Sequence, residues 1–295
     1  MLVATLVSAP GQALVQPSLL QRLAAAVPGA TGTDMLHDGI AGDVFADGGD
    51  ARKLEALIRA ELAGAPVDIL VQPAATRRKA LFLADMDSTM IGQECIDELA
   101  AYVGLKDKVA GITERAMRGE IAFEPALRER VALLKGVRLA VVDEILAKRI
   151  SLTPGGQALI RTMRANGAYT ALVSGGFTVF TGPISAEIGF DEHRSNHLIA
   201  DAGILTGEVG EPILGRQAKL DTLLELRARL GLTPSGTMAV GDGANDLAML
   251  GEAGLGVAFR AKPAVAEAAD ARLDHADLTA LLYAQGYKGT DIVRH

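Results

Sequence analysis

Hydrophobic and polar positions change rhythm once along this chain, near residue 80. Before that point, "MLVATLVSA" is an apolar run that reads as a buried strand. "SLLQRLAAAV" carries helical spacing, with Ser18 as its cap. "GATGTDMLHDGIAGDVFAD" predicts a hairpin or two short strands around its glycines. "ARKLEALIRAELAGA" puts Leu54, Leu57, Ile58 and Leu62 on one helical face, with Gly64 near its end. "VDILVQ" is a further strand. The order βαββαβ over residues 1–75 predicts an α+β unit, two helices over an antiparallel sheet. "PAATRRK" then reads as a linker into a second domain, residues 76–295.

Beyond residue 80, "ALFLAD", "YTALVS", "TMAVGD" and "LGVAF" are short apolar runs separated by helical patterns. That alternation predicts a parallel α/β sheet. A helical insert, roughly residues 94–150, separates the first two strands. Within it Ile96, Leu99, Ala100 and Val103 share a core-facing stripe. A second insert helix opens at Pro125 and ends before Gly136, with Leu127, Val131 and Leu134 as its stripe. Arg130 falls on that same stripe, whereas Glu129 points away. An arginine on an apolar face calls for a partner or a ligand carboxylate.

Three of the four apolar runs end in polar or Gly-rich motifs: "DMDST", "SGGF" and "GDGAND". Ligands of open α/β sheets bind beyond the carboxyl ends of the strands, so the three motifs converge on one crevice. Asp85 and Asp87 are alternate residues and fall on one face of the extended chain. Two such carboxylates resist joint ionisation unless a cation or a proton lies between them. Asp242 adds a third carboxylate from another strand end, and hard oxygens so placed suit Mg²⁺. Ser174 offers a hydroxyl, and Gly175 and Gly176 let the backbone approach an anion near a helix start. Lys219 is either a solvated surface lysine or the fixed cation that a phosphate site built from acids needs.

Composition narrows the class without naming the chemistry. The chain has 295 residues, 49% hydrophobic and 22% charged, as a globular protein with an ample core does. A net charge of -7 argues against nucleic acid as a partner. Cys95 stands alone and suits a reducing compartment. No Lys or Arg precedes Arg22, so a signal peptide's basic start is missing. No apolar run reaches the roughly 18 residues of a membrane span. The expectation is a soluble cytoplasmic protein with no membrane partner.

In order, "DMDSTMI", Glu94, "SGGFTVF", Lys219 and "GDGANDLAML" resemble the haloacid dehalogenase superfamily of phosphotransferases over residues 80 to about 282. The resemblance implies a Rossmann-like parallel-sheet core with the insert as a helical cap. It implies Mg²⁺-dependent hydrolysis of a small-molecule substrate, O-phospho-L-serine. Asp85 would then be the nucleophile, giving an aspartyl-phosphate, and Asp87 the acid of the first step and base of the second. The Asp85 side chain, the Asp87 carbonyl and Asp242 would hold the metal. Ser174, Gly175 and Lys219 would hold the phosphoryl oxygens, with Asn245 lining the pocket and Asp246 orienting Lys219 or a metal-bound water. Glu94 would take the substrate ammonium and Arg130 its carboxylate. Met117 and Phe123 would pack on the substrate or fill the cap core. Another small amino-acid phosphate, or transfer to an acceptor such as homoserine, stays open. The N-terminal unit resembles the ACT-type ligand-binding fold, whose expected roles are regulation or formation of a homodimer.

Overall fold

The computed structural model describes residues 1–117 and 120–294, the Met117 side chain excepted. Strands β1 (Leu2–Ser8), β2 (Ala30–His37), β3 (Ala41–Ala46) and β4 (Val67–Pro73) form an antiparallel sheet in the order β2-β3-β1-β4. Helices α1 (Pro17–Ala26) and α2 (Ala51–Leu62) cover one face. The two-residue period of the strands sorts the side chains: Ala4, Leu6, Ile69 and Val71 pack beneath Leu20, Leu23, Leu54 and Ile58. Helix α1 starts at Pro17, where a missing N–H costs nothing, and Ser18 is therefore not its cap. Helix α2 is capped by Asp50, which accepts from the Lys53 N–H at 3.0 Å.

The opposite face of this sheet is not open to solvent. Val7, Leu36, Ala41 and Leu70 continue into the hydrophobic core of the rest of the chain. Around them, polar groups on the same face are matched across the seam. Asp68 accepts from the backbone N–H groups of Asp274, His275 and Ala276 at 2.9, 3.0 and 2.7 Å. Gln72 Nε2 donates to the Ala284 carbonyl at 2.9 Å. Asp43, fully buried, accepts from Thr5 at 2.6 Å and from Arg77 at 2.7 Å. Residues 73–79 are consequently no free linker. Arg78 stacks 3.4 Å from the centre of the Tyr287 ring, and Lys79 donates to the Thr76 and Ser235 carbonyls at 2.9 and 3.0 Å. Burial lowers the Lys79 pKa to about 8.

The second part begins with β5 (Leu81–Ala84), followed by an insert of four helices: α3 (Cys95–Tyr102), α4 (Lys106–Met117), α5 (Phe123–Ala132) and α6 (Val141–Lys148). Helix α5 opens at Phe123 with Ala122 before it, so Pro125 sits inside its first turn rather than opening it. Leu127, Val131 and Leu134 are its buried stripe. After α7 (Gly156–Ala165) the chain continues through β6 (Tyr169–Phe177), α8 (Thr178–Ile188) and β7 (Glu192–Asn196). A hairpin, β8 (Leu198–Asp201) and β9 (Ile204–Val209), folds onto the insert through Gly136 N–H to Leu205 O at 2.9 Å and Leu139 N–H to Gly203 O at 2.8 Å. The rest is α9 (Arg216–Arg229), β10 (Thr237–Gly241), α10 (Leu247–Glu252), β11 (Gly256–Phe259), α11 (Pro263–Ala268), β12 (Ala271–Leu273) and α12 (Ala280–Ala284).

Six strands make a parallel sheet in the order β12-β11-β10-β5-β6-β7. Both faces are covered, as continuous apolar strands require. Phe82, Ala84 and Leu172 join the core shared with the seam, whereas Leu81, Leu83 and Ala171 pack under Leu223 and Leu226 of α9. Neither edge strand of this sheet, nor the β8–β9 hairpin, belongs to the pattern read from the sequence.

The seam yields a stability prediction. Asp68→Ala leaves three backbone N–H groups of residues 274–276 without their acceptor, a cost of about 2–3 kcal/mol. A lowered melting temperature in calorimetry is expected; an unchanged one would show that water replaces the carboxylate and the seam does not depend on it.

Candidate active site

Strand β5 ends at Ala84, yet the backbone stays extended through Asp85 (φ -69°, ψ 159°) and again at Asp87 (φ -65°, ψ 137°) before Ser88 turns it at φ 54°. The extended chain expected through both aspartates is thus interrupted between them: Met86–Met90 form one wide helical turn, inside which Asp87 and Ser88 depart from helical dihedrals. Asp85 is 5% exposed, and its Oδ1 accepts from the Met86 N–H at 2.7 Å. The same oxygen lies 2.7 Å from the Lys219 ammonium, which is 2.7 Å from Asp246 Oδ1 as well. Lys219 is 2% exposed and Asp246 fully buried. The cation demanded by crowded carboxylates is thus a side chain of the protein itself, not a solvated surface lysine.

Glycines make room for this arrangement. A Cβ at Gly241, the last residue of β10, would lie 2.3 Å from the Asp246 carboxyl carbon. Gly243 N–H donates to Asp246 Oδ2 at 3.0 Å, fixing the second carboxylate oxygen. Asn245 folds back over Gly243, whose Cβ would stand 2.2 Å from its amide oxygen. Asp242 is partly buried and accepts from Thr89 Oγ1 at 3.2 Å. Among the described residues, Asp85, Asp242 and Asp246 each offer an oxygen within 4.8 Å of the others. Asp246 thus joins Asp85 and Asp242 in a group of three carboxylates, whereas the contribution expected of Asp87 is a backbone carbonyl.

Negative charge is in excess here, since among the described residues Lys219 is the cation set against Asp85, Asp87, Asp242 and Asp246. Burial, then the charge of Asp246, holds the Asp85 pKa well above its ordinary value despite Lys219. Burial, then Glu94, pushes Asp87 up to about 7; burial, then Asp246, pushes Asp242 up to about 6. Burial disfavours the Lys219 charge, but Asp85 and Asp246 outweigh it and its pKa is raised. The donor set is hard oxygen, anionic and short of cations, and it fits a divalent ion such as Mg²⁺.

The second motif lies beside the first. A Cβ at Gly176 would come within 3.3 Å of Asp87 Oδ2 and 3.0 Å of Ser174 Oγ. Ser174 is buried, and its Oγ accepts from the Gly176 N–H at 2.9 Å, so that N–H is already engaged within the loop. Helix α8 begins directly after, at Thr178, with its positive end toward this loop. The cap closes on the same place: a Cβ at Gly175 would lie 3.5 Å from the Phe123 ring, and one at Gly215 would lie 3.3 Å from it. The Met117 side chain lies outside the described residues.

Glu94 and Arg130 stand at the base of the cap. Glu94 Oε1 accepts from Ser88 Oγ at 2.7 Å. Arg130 donates to the Ala126 carbonyl at 3.2 Å and to Thr113 Oγ1 at 3.3 Å, and no described carboxylate lies within ion-pair distance of it. Burial lowers its pKa, opposed by the charges of Asp97 and Glu94. Glu129 turns away and meets Arg115 at 3.1 Å. Cys95 is buried with its thiol pKa raised, first by burial, which makes it a core residue. Ser88 and Thr89 were not singled out in the sequence. Their signal was available, since both are polar residues of "DMDST" following a buried strand.

The sequence profile of the haloacid dehalogenase-like hydrolases matches residues 82–251, more than half of the chain and all three motifs. The chain belongs to this family. It is 48% identical over 207 residues to a phosphoserine phosphatase of Polaromonas sp., covering 68% of this chain and 88% of that one. A family hydrolase of Salmonella enterica serovar Typhi superposes with a TM-score of 0.84 at 27% identity, covering 96% of this chain and 97% of that one. A solved phospho-aspartyl intermediate analogue of phosphoserine phosphatase has a TM-score of 0.64 at 40% identity, covering 70% of this chain and 98% of the other.

The raised carboxyl pKa values set a pH dependence. Asp87 and Asp242 rise from 3.8 to about 7 and about 6 in the folded chain. The folded protein therefore keeps protons that the unfolded chain has released. This contribution to stability is full below the unfolded value and is lost as pH rises through about 6 to 7. Without metal, the melting temperature should fall from about pH 5 to about pH 8, and Asp242→Asn should flatten that slope. An Asp242→Asn protein with the wild-type slope would contradict the assignment.

Proposed function

We propose that this protein is a Mg²⁺-dependent phosphatase that hydrolyses O-phospho-L-serine to L-serine and phosphate. The observation that carries the reading is the buried Asp85–Lys219–Asp246 array together with Glu94 and an Arg130 guanidinium that has no ion-pair partner among the described residues. An α-amino-acid phosphate carries the three groups that match: a phosphoryl group, an ammonium and a carboxylate. The phosphoserine phosphatases among the similar proteins supply the same substrate from an independent side.

Both recorded contacts of Asp85 go to Oδ1, so Oδ2 is the atom to attack phosphorus in line. The phosphorus–serine oxygen bond breaks as the bond to Asp85 forms. Asp87, poised near neutrality at about 7, gives its proton to the departing serine oxygen. It then removes a proton from the water that attacks phosphorus, which frees Asp85 and releases phosphate. Lys219, Ser174, Gly175 and Asn245 bind and orient the phosphoryl oxygens. Phe123 and the cap exclude bulk water while the ester is cleaved. Asp85, Asp242 and either the Asp87 carbonyl or Asp246 would hold Mg²⁺, which supplies charge neutralisation between nucleophile and phosphoryl group. Glu94, oriented by Ser88, takes the ammonium, and Arg130 takes the carboxylate in a two-pronged contact.

Residues 1–75 form an ACT-like unit in this reading, and residues 76–295 the phosphatase with its cap at about 94–150. The βαββαβ order and the antiparallel sheet support the former. The uncovered edge strand β2 offers the surface for a homodimer. A cytoplasmic setting suits the reaction, and none of the described helices is long and apolar enough to cross a membrane.

Phosphate release from L-phosphoserine and from an aryl phosphate tests the reading. Asp85→Asn should abolish both. Arg130→Met should raise KM for L-phosphoserine about 10–100-fold, the worth of a charge-assisted contact, with a much smaller effect on the aryl ester. Equal losses on the two substrates would remove Arg130 from substrate recognition.

A further inference from the structure

The segment Ser174–Gly176 is where β6 leaves its ladder. β6 and β7 pair from Ala171 with Glu192 to Val173 with Arg194, and meet again only at Phe177 with Asn196. Ser174, Gly175 and Gly176 thus stand opposite the single residue Ser195, a bulge that leaves backbone groups without ladder partners. The Asn196 side chain fills the gap. Its Nδ2 donates to the Gly175 carbonyl at 2.9 Å and to the Leu214 carbonyl at 3.1 Å, while its Oδ1 accepts from the Leu214 N–H at 2.7 Å. The residue is 1% exposed, so water does not compete for these bonds.

A carboxamide is the one short uncharged side chain with an acceptor at one end and two donors at the other. Asn196 spends both ends, pairing with the N–H and C=O of Leu214 as a neighbouring strand would. Leu214 precedes Gly215, from which α9 starts, and Lys219 lies in the first turn of that helix. The Phe123 ring lies over Gly175, which Asn196 bonds directly, and over Gly215, the neighbour of its other partner Leu214. Asn196 reaches neither the acids nor Lys219 in any recorded contact, so its influence runs through the backbone it holds.

We propose that Asn196 is a positioning residue for phosphoryl transfer, its one carboxamide setting the separation between the Ser174–Gly175 loop and the helix that carries Lys219. The inference rests on the phosphatase reading of this site but not on the identity of the amino acid. A shift of about 1 Å between the two halves of a phosphate cradle costs up to about 100-fold in rate. Asn196→Asp keeps the shape and turns the donor end into a carboxylate facing two carbonyl oxygens. Asn196→Ser keeps a hydroxyl too short to span the gap.

The test uses the full chain with Mg²⁺, an aryl phosphate as substrate and inorganic phosphate as inhibitor. Thr237→Val serves as the stability control, losing contacts to the Pro234 carbonyl at 2.7 Å and the Gly254 N–H at 3.0 Å at the far end of β10. The expected result is a kcat about 10–100-fold lower in both Asn196 variants, with weaker inhibition by phosphate. Thr237→Val, at a comparable fall in melting temperature, should retain both. The proposal is overturned if the Asn196 variants match Thr237→Val in kcat and phosphate affinity. It is equally overturned if neither Asn196 variant folds, since the carboxamide would then be a requirement of folding. Wild-type protein that cleaves the aryl ester but ignores L-phosphoserine would sink the substrate reading and leave this inference standing.

Discussion

The Lys219 ammonium between Asp85 and Asp246 is the interaction on which the site depends. Desolvating each of these charges costs several kcal/mol, which their mutual proximity offsets together with the Met86 and Gly243 N–H groups. The three residues come from three places, the end of β5, the loop after β10 and the start of α9. Strands β10 and β5 are neighbours in the sheet, and α9 packs on β5 from one face. Remove any of these placements and a charge is buried without its partner. Burial first, and then the crowding of like charges, raises Asp87 to about 7 and Asp242 to about 6, and a site of this kind favours a further cation.

The cap answers a different constraint. Phosphate chemistry needs anionic groups crowded in a dry place, whereas recognition of an amino acid needs a cation and an anion at a distance from each other. In the function proposed above, Glu94 before α3 and Arg130 on α5 separate these demands. The Ser88 hydroxyl links them, for it belongs to the turn that follows Asp85 and donates to Glu94 at 2.7 Å. Phe123 works on the other side, its ring lying over Gly175 and Gly215.

The sequence displayed what apolar periodicity and motif chemistry encode. The βαββαβ order, the four inner parallel strands and the residues of the three motifs were all legible, because their strands are predominantly apolar and are bounded by turn or helix signals. Strand β7, "EHRSN", was not, since its side chains make polar bonds to Tyr169, Thr181 and Glu225 instead of filling a core. Strand β12 is only "ARL", too short to show a period. The "RRK" run read as part of a linker because charge in a sequence does not reveal that Asp43, Tyr287 and the Ser235 carbonyl await it. Lys219 was ambiguous for the same reason. Its burial depends on Asp85 and Asp246, both remote in sequence, and no local pattern announces such a meeting.

The seam between the antiparallel sheet and the parallel one has a consequence for how the molecule comes apart. One sheet face is helix-covered and the other is continuous with the catalytic core through Val7, Leu36, Ala41 and Leu70. Cleaving the backbone in residues 73–79 would therefore not liberate a self-sufficient enzyme. Each fragment would carry away a strip of bare hydrocarbon studded with unmated polar atoms, sticky toward its own kind. The N-terminal unit behaves less like a detachable accessory than like the missing wall of the catalytic half.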